Sequence, residues 1–384
     1  MTNVEGHRVV VLGGGYAGLV TAHRLAHRGS KAGVSVTLVN AGPDFVERIR
    51  LHQIAAGQPV GVHPLVDVLD GSGIDVRVGM VTGIDPDART VAVQGQPEIG
   101  YDTLVYALGS MIDKYAVPGV AEHAVTLSDP ASAAGIAMRL RSIAERGGTV
   151  VVCGGGLTGI EASTELAETY DGLTVRVITK GEPGDWLSPR ARRYLCEQFD
   201  RLGVLVTPNA PVAKIDADGV LLDDGERVDA DMVVWCGGFT VPPIAERAGL
   251  EVNRNGRIVV DTTLRSVSHP EVYGVGDAAA VRGEWGDELA YGCRSGGFTS
   301  PYVADVIAAR LAGREPKEFR FRYIQQCVSI GRKRGLVQYV NGADESPKRA
   351  MLGGRKAAWY KEMVCRLAAW TVRHPGPYLG RPTL

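Results

Sequence analysis

The chain lacks the marks of a metal-built or disulfide-built scaffold. Its six cysteines, at positions 153, 196, 236, 293, 327 and 365, include no CxxC pair, which argues against both a zinc site and a secreted disulfide framework. The eight histidines show no metal-ligand spacing either. No run of eighteen apolar residues occurs, so no membrane span is expected. The formal net charge of -1 gives no general attraction to nucleic acid or to an anionic surface. The polar start, Met1 to Arg8, carries no secretory apolar core, and a cytoplasmic location is the expectation. What is abundant is apolar residues, 45% of 384, enough for two or three cored domains.

Two glycine-rich turns dominate what is present. One reads Gly13-Gly14-Gly15-Tyr16-Ala17-Gly18 and the other Gly154-Gly155-Gly156-Leu157-Thr158-Gly159. Each follows a short apolar run, Val9 to Leu12 or Val150 to Cys153, and precedes a helix-like stretch and a β-rich segment, Val34 to Val39 or Leu173 to Ile178. In such a turn the first glycine bends the chain, the second admits a pyrophosphate, and the third lets helix and strand close together. The anion then sits over free N–H groups at a helix start. Two such units point to two dinucleotides, most economically a flavin and a nicotinamide.

The repeat continues further along. Tyr101 to Gly109 and Ala230 to Gly238 are buried-strand patterns that end in glycine. The expected class is α/β, with two Rossmann-like dinucleotide-binding domains and a small α+β C-terminal region. Val117-Pro118-Gly119 reads as the crossover between units, with a helix over 131–145. Later come Ile258 to Asp261, Val272 to Asp277, helical character over 302–311, and β-like runs at 320–324 and 335–340. A helix over 355–372 aligns Trp359, Met363, Leu367 and Trp370 on one face, with Lys356, Lys361, Arg366 and Arg373 around it.

These elements, in this order, resemble the flavoprotein reductases with two dinucleotide domains, most of all the type II NADH dehydrogenase family. Further residues that carry the resemblance are Val36 to Asn40, Phe45, Arg50 to Gly57, Gly154 to Leu166 and Tyr273 to Asp277. The resemblance implies FAD in residues 1–115 and 251–315, NADH or NADPH in 116–250, and a covering, dimer-forming or peripheral membrane region over 316–384. It implies hydride transfer to FAD and electron delivery to a small-molecule acceptor, in this family usually a quinone. Gly13, Gly15, Tyr16, Ala17 and Gly18 would serve FAD, as would Asn40, Arg50, His52, Gly109, Gly276 and Asp277. Gly154, Gly156, Thr158, Gly159, Thr179, Lys180 and Gly238 would serve the nicotinamide.

Several positions depart from the family pattern. Asn40 stands where an acid usually binds ribose, and Thr179-Lys180 stand where a second acid would repel a 2′-phosphate, so NADPH and NADH rank equally. If the strand continues regularly, Arg176 shares a side with Lys180; the bland reading makes Lys180 a solvated loop residue. The family's Ala-Gln-x-Ala-x-Gln quinone motif is replaced by Ala290 to Gly297, with Tyr291 and Ser295 at the glutamine positions and Arg294 beside them. A small, polar or anionic acceptor is therefore the leading expectation. The alternatives are a type II NADH:quinone oxidoreductase at a membrane and a low-turnover redox-sensing flavoprotein. Glu161 is a candidate proton relay, Tyr291 a donor to the acceptor, and Arg294 an anion attractor. The plainer readings make Glu161 a carboxylate favoured by the helix dipole and Asp277 an N-cap. Cys153 is expected to be an inert core thiol, and a Cys293–Cys327 pairing is a minor reading.

Overall fold

The computed structural model describes residues 6–29, 33–374 and 376. The first unit is β1 (Arg8–Leu12), α1 (Tyr16–Gly29), β2 (Ser35–Asn40), the short α2 (Leu51–Ala55), β3 (Asp75–Val78) and β4 (Thr103–Tyr106). β1 pairs in parallel with β2 and β4, and β2 with β3. Val9 to Leu12 are wholly buried, as expected of a parallel strand covered on both faces.

A two-stranded link, β5 (Met111–Ile112) against the later β11 (Phe239–Thr240), joins this unit to the next. The second unit repeats the pattern with β6 (Ala124–Thr126), α3 (Pro130–Glu145), β7 (Thr149–Cys153), α4 (Leu157–Thr169), β8 (Thr174–Ile178), α5 (Pro189–Leu202), β9 (Leu205–Thr207) and β10 (Met232–Trp235). Its five parallel strands are ordered β6-β10-β7-β8-β9. Asp129 caps α3 by accepting from the Ser132 N–H, with Pro130 at the first position where its missing N–H costs nothing.

The chain then returns to the first sheet: β12 (Val272–Gly274) pairs with β4 as its fifth strand. The helix that follows, α6 (Cys293–Leu311), lies on α1. It begins nine residues before the expected helical stretch and runs through Pro301. Arg24 of α1 and Asp305 of α6 form a buried two-bond ion pair at 2.8 Å.

The last segment is an antiparallel sheet of β13 (Gln325–Ile330), β14 (Arg334–Val340) and β15 (Pro347–Gly353), covered by α7 (Gly354–Thr371). The β-like run at 320–324 is irregular backbone. Its alternation has another cause, because Phe321 and Tyr323 bury into the first unit's core without a strand partner. Trp359, Met363, Leu367 and Trp370 do share a helical face, and that face is exposed. The opposite stripe, Ala357, Lys361 and Cys365, turns inward.

Candidate functional site

The two glycine turns are built alike. Gly13 N–H donates to Val39 O and Gly154 N–H to Ile178 O, both at 2.7–2.8 Å, so each turn is tied to the end of the neighbouring strand. Gly13 (φ 102°) and Gly154 (φ 132°) hold backbone conformations that side chains disfavour. A Cβ on Gly18 would fall on Gly13 O, and one on Gly159 on Gly154 O, so the third glycine is a packing requirement. A Cβ on Gly15 or Gly156 would meet nothing within 4 Å. Both middle positions thus face open space at a helix start, where the first four N–H groups lack intrahelical partners. This geometry fits a pyrophosphate at each turn.

Asn40, the last residue of β2, and Thr179, the first residue past β8, occupy equivalent places beside the two turns. Asn40 Oδ1 accepts from Gly14 N–H at 2.8 Å, and its amide donates to Gly42 O at 2.8 Å. Thr179 is buried with its hydroxyl against Gly155, and Lys180 is exposed. The strand ends at Ile178, so the alternation does not extend to Lys180. Arg176 instead donates to Thr207 Oγ1 at 3.0 Å. Thr158 is half-buried, and Gly238 (φ 70°) lies on the exposed link beside Asp113.

Around the first turn, α1 and α6 approach closely because Ala17, Gly276 and Gly296 have almost no side-chain bulk. A Cβ on Gly276 or Gly296 would come within 3.1–3.3 Å of the Ala17 methyl. Asp277 is not the N-cap residue of the next helix, α6, where Gly292 holds that position. Asp277 Oδ1 accepts from Gly292 N–H and Ser295 Oγ at 2.8 Å, and its Oδ2 from Ser110 Oγ at 2.7 Å. The carboxylate therefore pins the start of α6 to the loop after β4. Ser295 is spent on this bond. Tyr16 sets its ring edge-on to Phe45 at 4.9 Å, and its buried hydroxyl has no hydrogen-bond partner among the described residues.

Tyr291 rests against Phe239 at 5.6 Å and under the guanidinium of Arg257 at 4.9 Å. Its buried hydroxyl likewise lacks a partner among the described residues. Arg294 donates to Gln325 O at 3.0 Å and lies 4.0 Å from the Tyr323 ring. Arg50 is similarly committed, to Glu47 at 2.9 Å and to both carboxylate oxygens of Glu362 at 2.9–3.0 Å. Arg48, which the motif reading passed over, bonds Ser110 O beside Gly109. Burial lowers its guanidinium, against the charge of Asp277.

Glu161 belongs to a buried polar cluster rather than to a solvated helix start. Its Oε1 accepts from Ser329 N–H at 2.9 Å and lies 3.1 Å from Lys361 Nζ. Burial alone would raise this carboxyl, but Lys361 and the Ser329 N–H hold it below the usual range. Glu165, one turn on, accepts from Gln58 and from Arg332 Nε at 3.0 Å, yet burial pushes its carboxyl up. His52 sits between the two, 4.0 Å from Glu161 and 3.9 Å from Glu165, too far for direct hydrogen bonds. Burial pushes its imidazole down to about 4, so it is neutral near pH 7. Lys361 and Arg332 escaped the sequence reading because nothing local links them to Glu161 and Glu165.

Cys153 is buried with its thiol pushed up by burial, consistent with an inert core position. Cys293 and Cys327 are both free thiols in the structure.

The family model described as pyridine nucleotide-disulphide oxidoreductase matches residues 7–303. The chain is 34% identical over 294 residues to an NADH dehydrogenase-like protein of Mycobacterium tuberculosis (strain ATCC 25618 / H37Rv), covering 72% of this chain and 73% of that one. It is 25% identical over 371 residues to a demethylphylloquinone reductase of Synechocystis, with 92% of each chain covered. Among solved structures, the sulfide:quinone oxidoreductase of Aquifex aeolicus has the same fold, with a TM-score of 0.82 at 20% identity over 97% of this chain and 92% of the other.

Proposed function

The chain belongs to the pyridine nucleotide-disulphide oxidoreductase family, and we propose that it is an FAD-dependent NAD(P)H oxidoreductase that passes electrons to a small non-protein acceptor. The observation that carries this reading is the pair of glycine turns whose middle glycines face open space. In this reading residues 1–115 and 251–315 hold FAD, 116–250 hold the nicotinamide, and 316–384 cover the acceptor side. FAD, when bound, takes a hydride from the reduced nicotinamide and hands electrons on to the acceptor.

The chain's own residues bind, orient and move protons. Gly13, Gly15 and Gly18 would cradle one pyrophosphate, and Gly154, Gly156 and Gly159 the other. Asp277, Ser110 and Arg48 would line the flavin's ribityl side. Hydride transfer needs close, aligned rings and no protein base. Reduction of an acceptor to a hydroxyl-bearing product does need protons, and buried carboxylates with opposite shifts suit that task. Glu161 is held ionised and Glu165 is pushed toward its neutral form, with neutral His52 between them. We assign this cluster to proton supply.

The test begins with colour. Purified protein should be yellow and release one FAD per chain on denaturation, and NADH or NADPH should bleach it anaerobically. Colourless protein that takes up no FAD defeats the reading.

The exposed stripe of Trp359, Met363, Leu367 and Trp370 supports a second reading, a quinone reductase lying on a membrane surface. The same stripe would suit a seam with a second copy. Flotation with anionic vesicles, weakened in a Trp359→Gln/Trp370→Gln variant, would favour the membrane. A dimer that becomes monomeric in that variant would favour the seam.

A further inference from the structure

A cleft of about 350 Å³ opens between α2, the β13–β14 turn and α7. That volume lies within the usual range for small-molecule sites. Four cationic side chains line it, Arg50, Arg332, Arg334 and Lys361, and one acid, Glu362. Three of the cations are already engaged: Arg50 by Glu362, Arg332 by Glu165 and Lys361 by Glu161. Arg334 has no acidic partner among the described residues. Pro59, Ala358 and Cys365 add a less polar wall.

We infer that this cleft holds an acceptor that carries an acid group, a carboxylated or sulfonated quinone, with Arg334 binding the acid. The inference rests on the oxidoreductase reading above and adds the substrate class. A planar guanidinium without a carboxylate partner matches a carboxylate or sulfonate with two parallel hydrogen bonds. A neutral, long-chain quinone would gain nothing from Arg334 and would strip water from a cationic wall. The cleft also reaches the buried cluster, since Lys361 lines it and pairs with Glu161. The reaction balances as NAD(P)H, one proton and quinone giving NAD(P)⁺ and quinol. The hydride supplies two electrons and one proton, and solvent supplies the second proton. The anion role expected of Arg294 thus passes to Arg334, 40 positions further on.

The experiment compares menadione with 1,2-naphthoquinone-4-sulfonate as acceptors for the FAD-loaded, NADH-reduced protein. In parallel, calorimetry measures binding of naphthalene-2-sulfonate, which cannot be reduced. Arg334→Gln should lower the preference for the sulfonated over the neutral quinone by about tenfold or more, the usual worth of one charge-assisted hydrogen bond. Naphthalene-2-sulfonate affinity should fall in step, and Arg334→Lys should recover part of both. Wild-type protein that does not bind naphthalene-2-sulfonate overturns the inference, as does a variant that keeps the preference. Failure of this arm in yellow protein still bleached by NADH leaves the oxidoreductase reading standing. Colourless protein defeats that reading first.

Discussion

Lys361 Nζ lies 3.1 Å from Glu161 Oε1, with both side chains more than four-fifths buried. Two desolvated charges are costly unless each compensates the other. Burial would lower the Lys361 ammonium, yet Glu161 raises it well above its ordinary value. The pair joins α7 to α4 and so fastens the C-terminal segment onto the second unit. Lys361→Met should destabilise the protein by roughly 3–5 kcal/mol, because it strands a buried carboxylate. Adding Glu161→Gln should restore much of that loss. Urea unfolding followed by fluorescence checks the comparison; a double variant no more stable than the single one would show that Glu161 is not the stranded charge.

His52 gives a pH dependence with a definite sign. Burial holds its imidazole at about 4, while the unfolded chain titrates near the ordinary 6.5. Above about pH 6.5 it is neutral in both states and contributes no slope. As pH falls from about 6.5 to about 4, the unfolded chain takes up a proton that the folded one refuses, so stability is lost. The full loss is on the order of 3 kcal/mol. Glu165 works the other way, since burial raises its carboxyl and protonation relieves it. The informative measurement is therefore wild type against His52→Gln. The acid-side fall in urea midpoint between pH 7 and pH 5 should be shallower in the variant, and parallel curves would refute the assignment.

The glycine turns separate folding from binding. An alanine methyl at Gly15 meets no protein atom, whereas at Gly18 it collides with Gly13 O. Gly15→Ala should leave the melting temperature of FAD-stripped protein unchanged and weaken FAD binding by about tenfold or more, equivalent to ~1.4 kcal/mol. Gly18→Ala should cost stability directly, by about 1–3 kcal/mol. Thermal melts of stripped protein and FAD titrations distinguish the two. Equal FAD affinity in wild type and Gly15→Ala would mean that the pyrophosphate does not lie there.

What was legible in the sequence was local. Val9 to Leu12 and Val150 to Cys153 read as central parallel strands because burial on both faces writes an unbroken apolar run. The glycine turns read correctly because their spacing is fixed by the backbone itself. Partners distant in sequence were hidden. Arg50 pairs with Glu362 across 312 positions, and nothing near Arg50 announces it. Arg294 was free in the sequence but is held by Gln325 and Tyr323 in the fold. The apolar stripe of α7 was visible as periodicity, but periodicity does not say which face is covered. In the fold the small and polar stripe of Ala357, Lys361 and Cys365 faces inward, and the tryptophans face out.

Thr179 is the residue expected to set the choice between NADH and NADPH. It follows β8 where Asn40 ends β2, and the two side chains lie against Gly155 and Gly14 of their turns. Thr179 brings no negative charge to the place where an acid would receive the 2′-hydroxyl of NADH and repel the 2′-phosphate of NADPH. Lys180 is exposed beside it, and Arg176 is turned toward Thr207. Wild-type protein should therefore accept both nicotinamides. Asn40 shows that a branched side chain of four heavy atoms fits against such a glycine, so Thr179→Asp should fold normally. Its carboxylate should shift the ratio of flavin-reduction rates toward NADH by about tenfold or more, from repulsion and desolvation worth ~1.4 kcal/mol. Lys180→Gln should weaken NADPH alone, by removing a cation near the phosphate. Stopped-flow reduction with each nicotinamide measures all three proteins. A wild type that already favours NADH by about a thousandfold, ~4 kcal/mol, would mean that another group performs the exclusion.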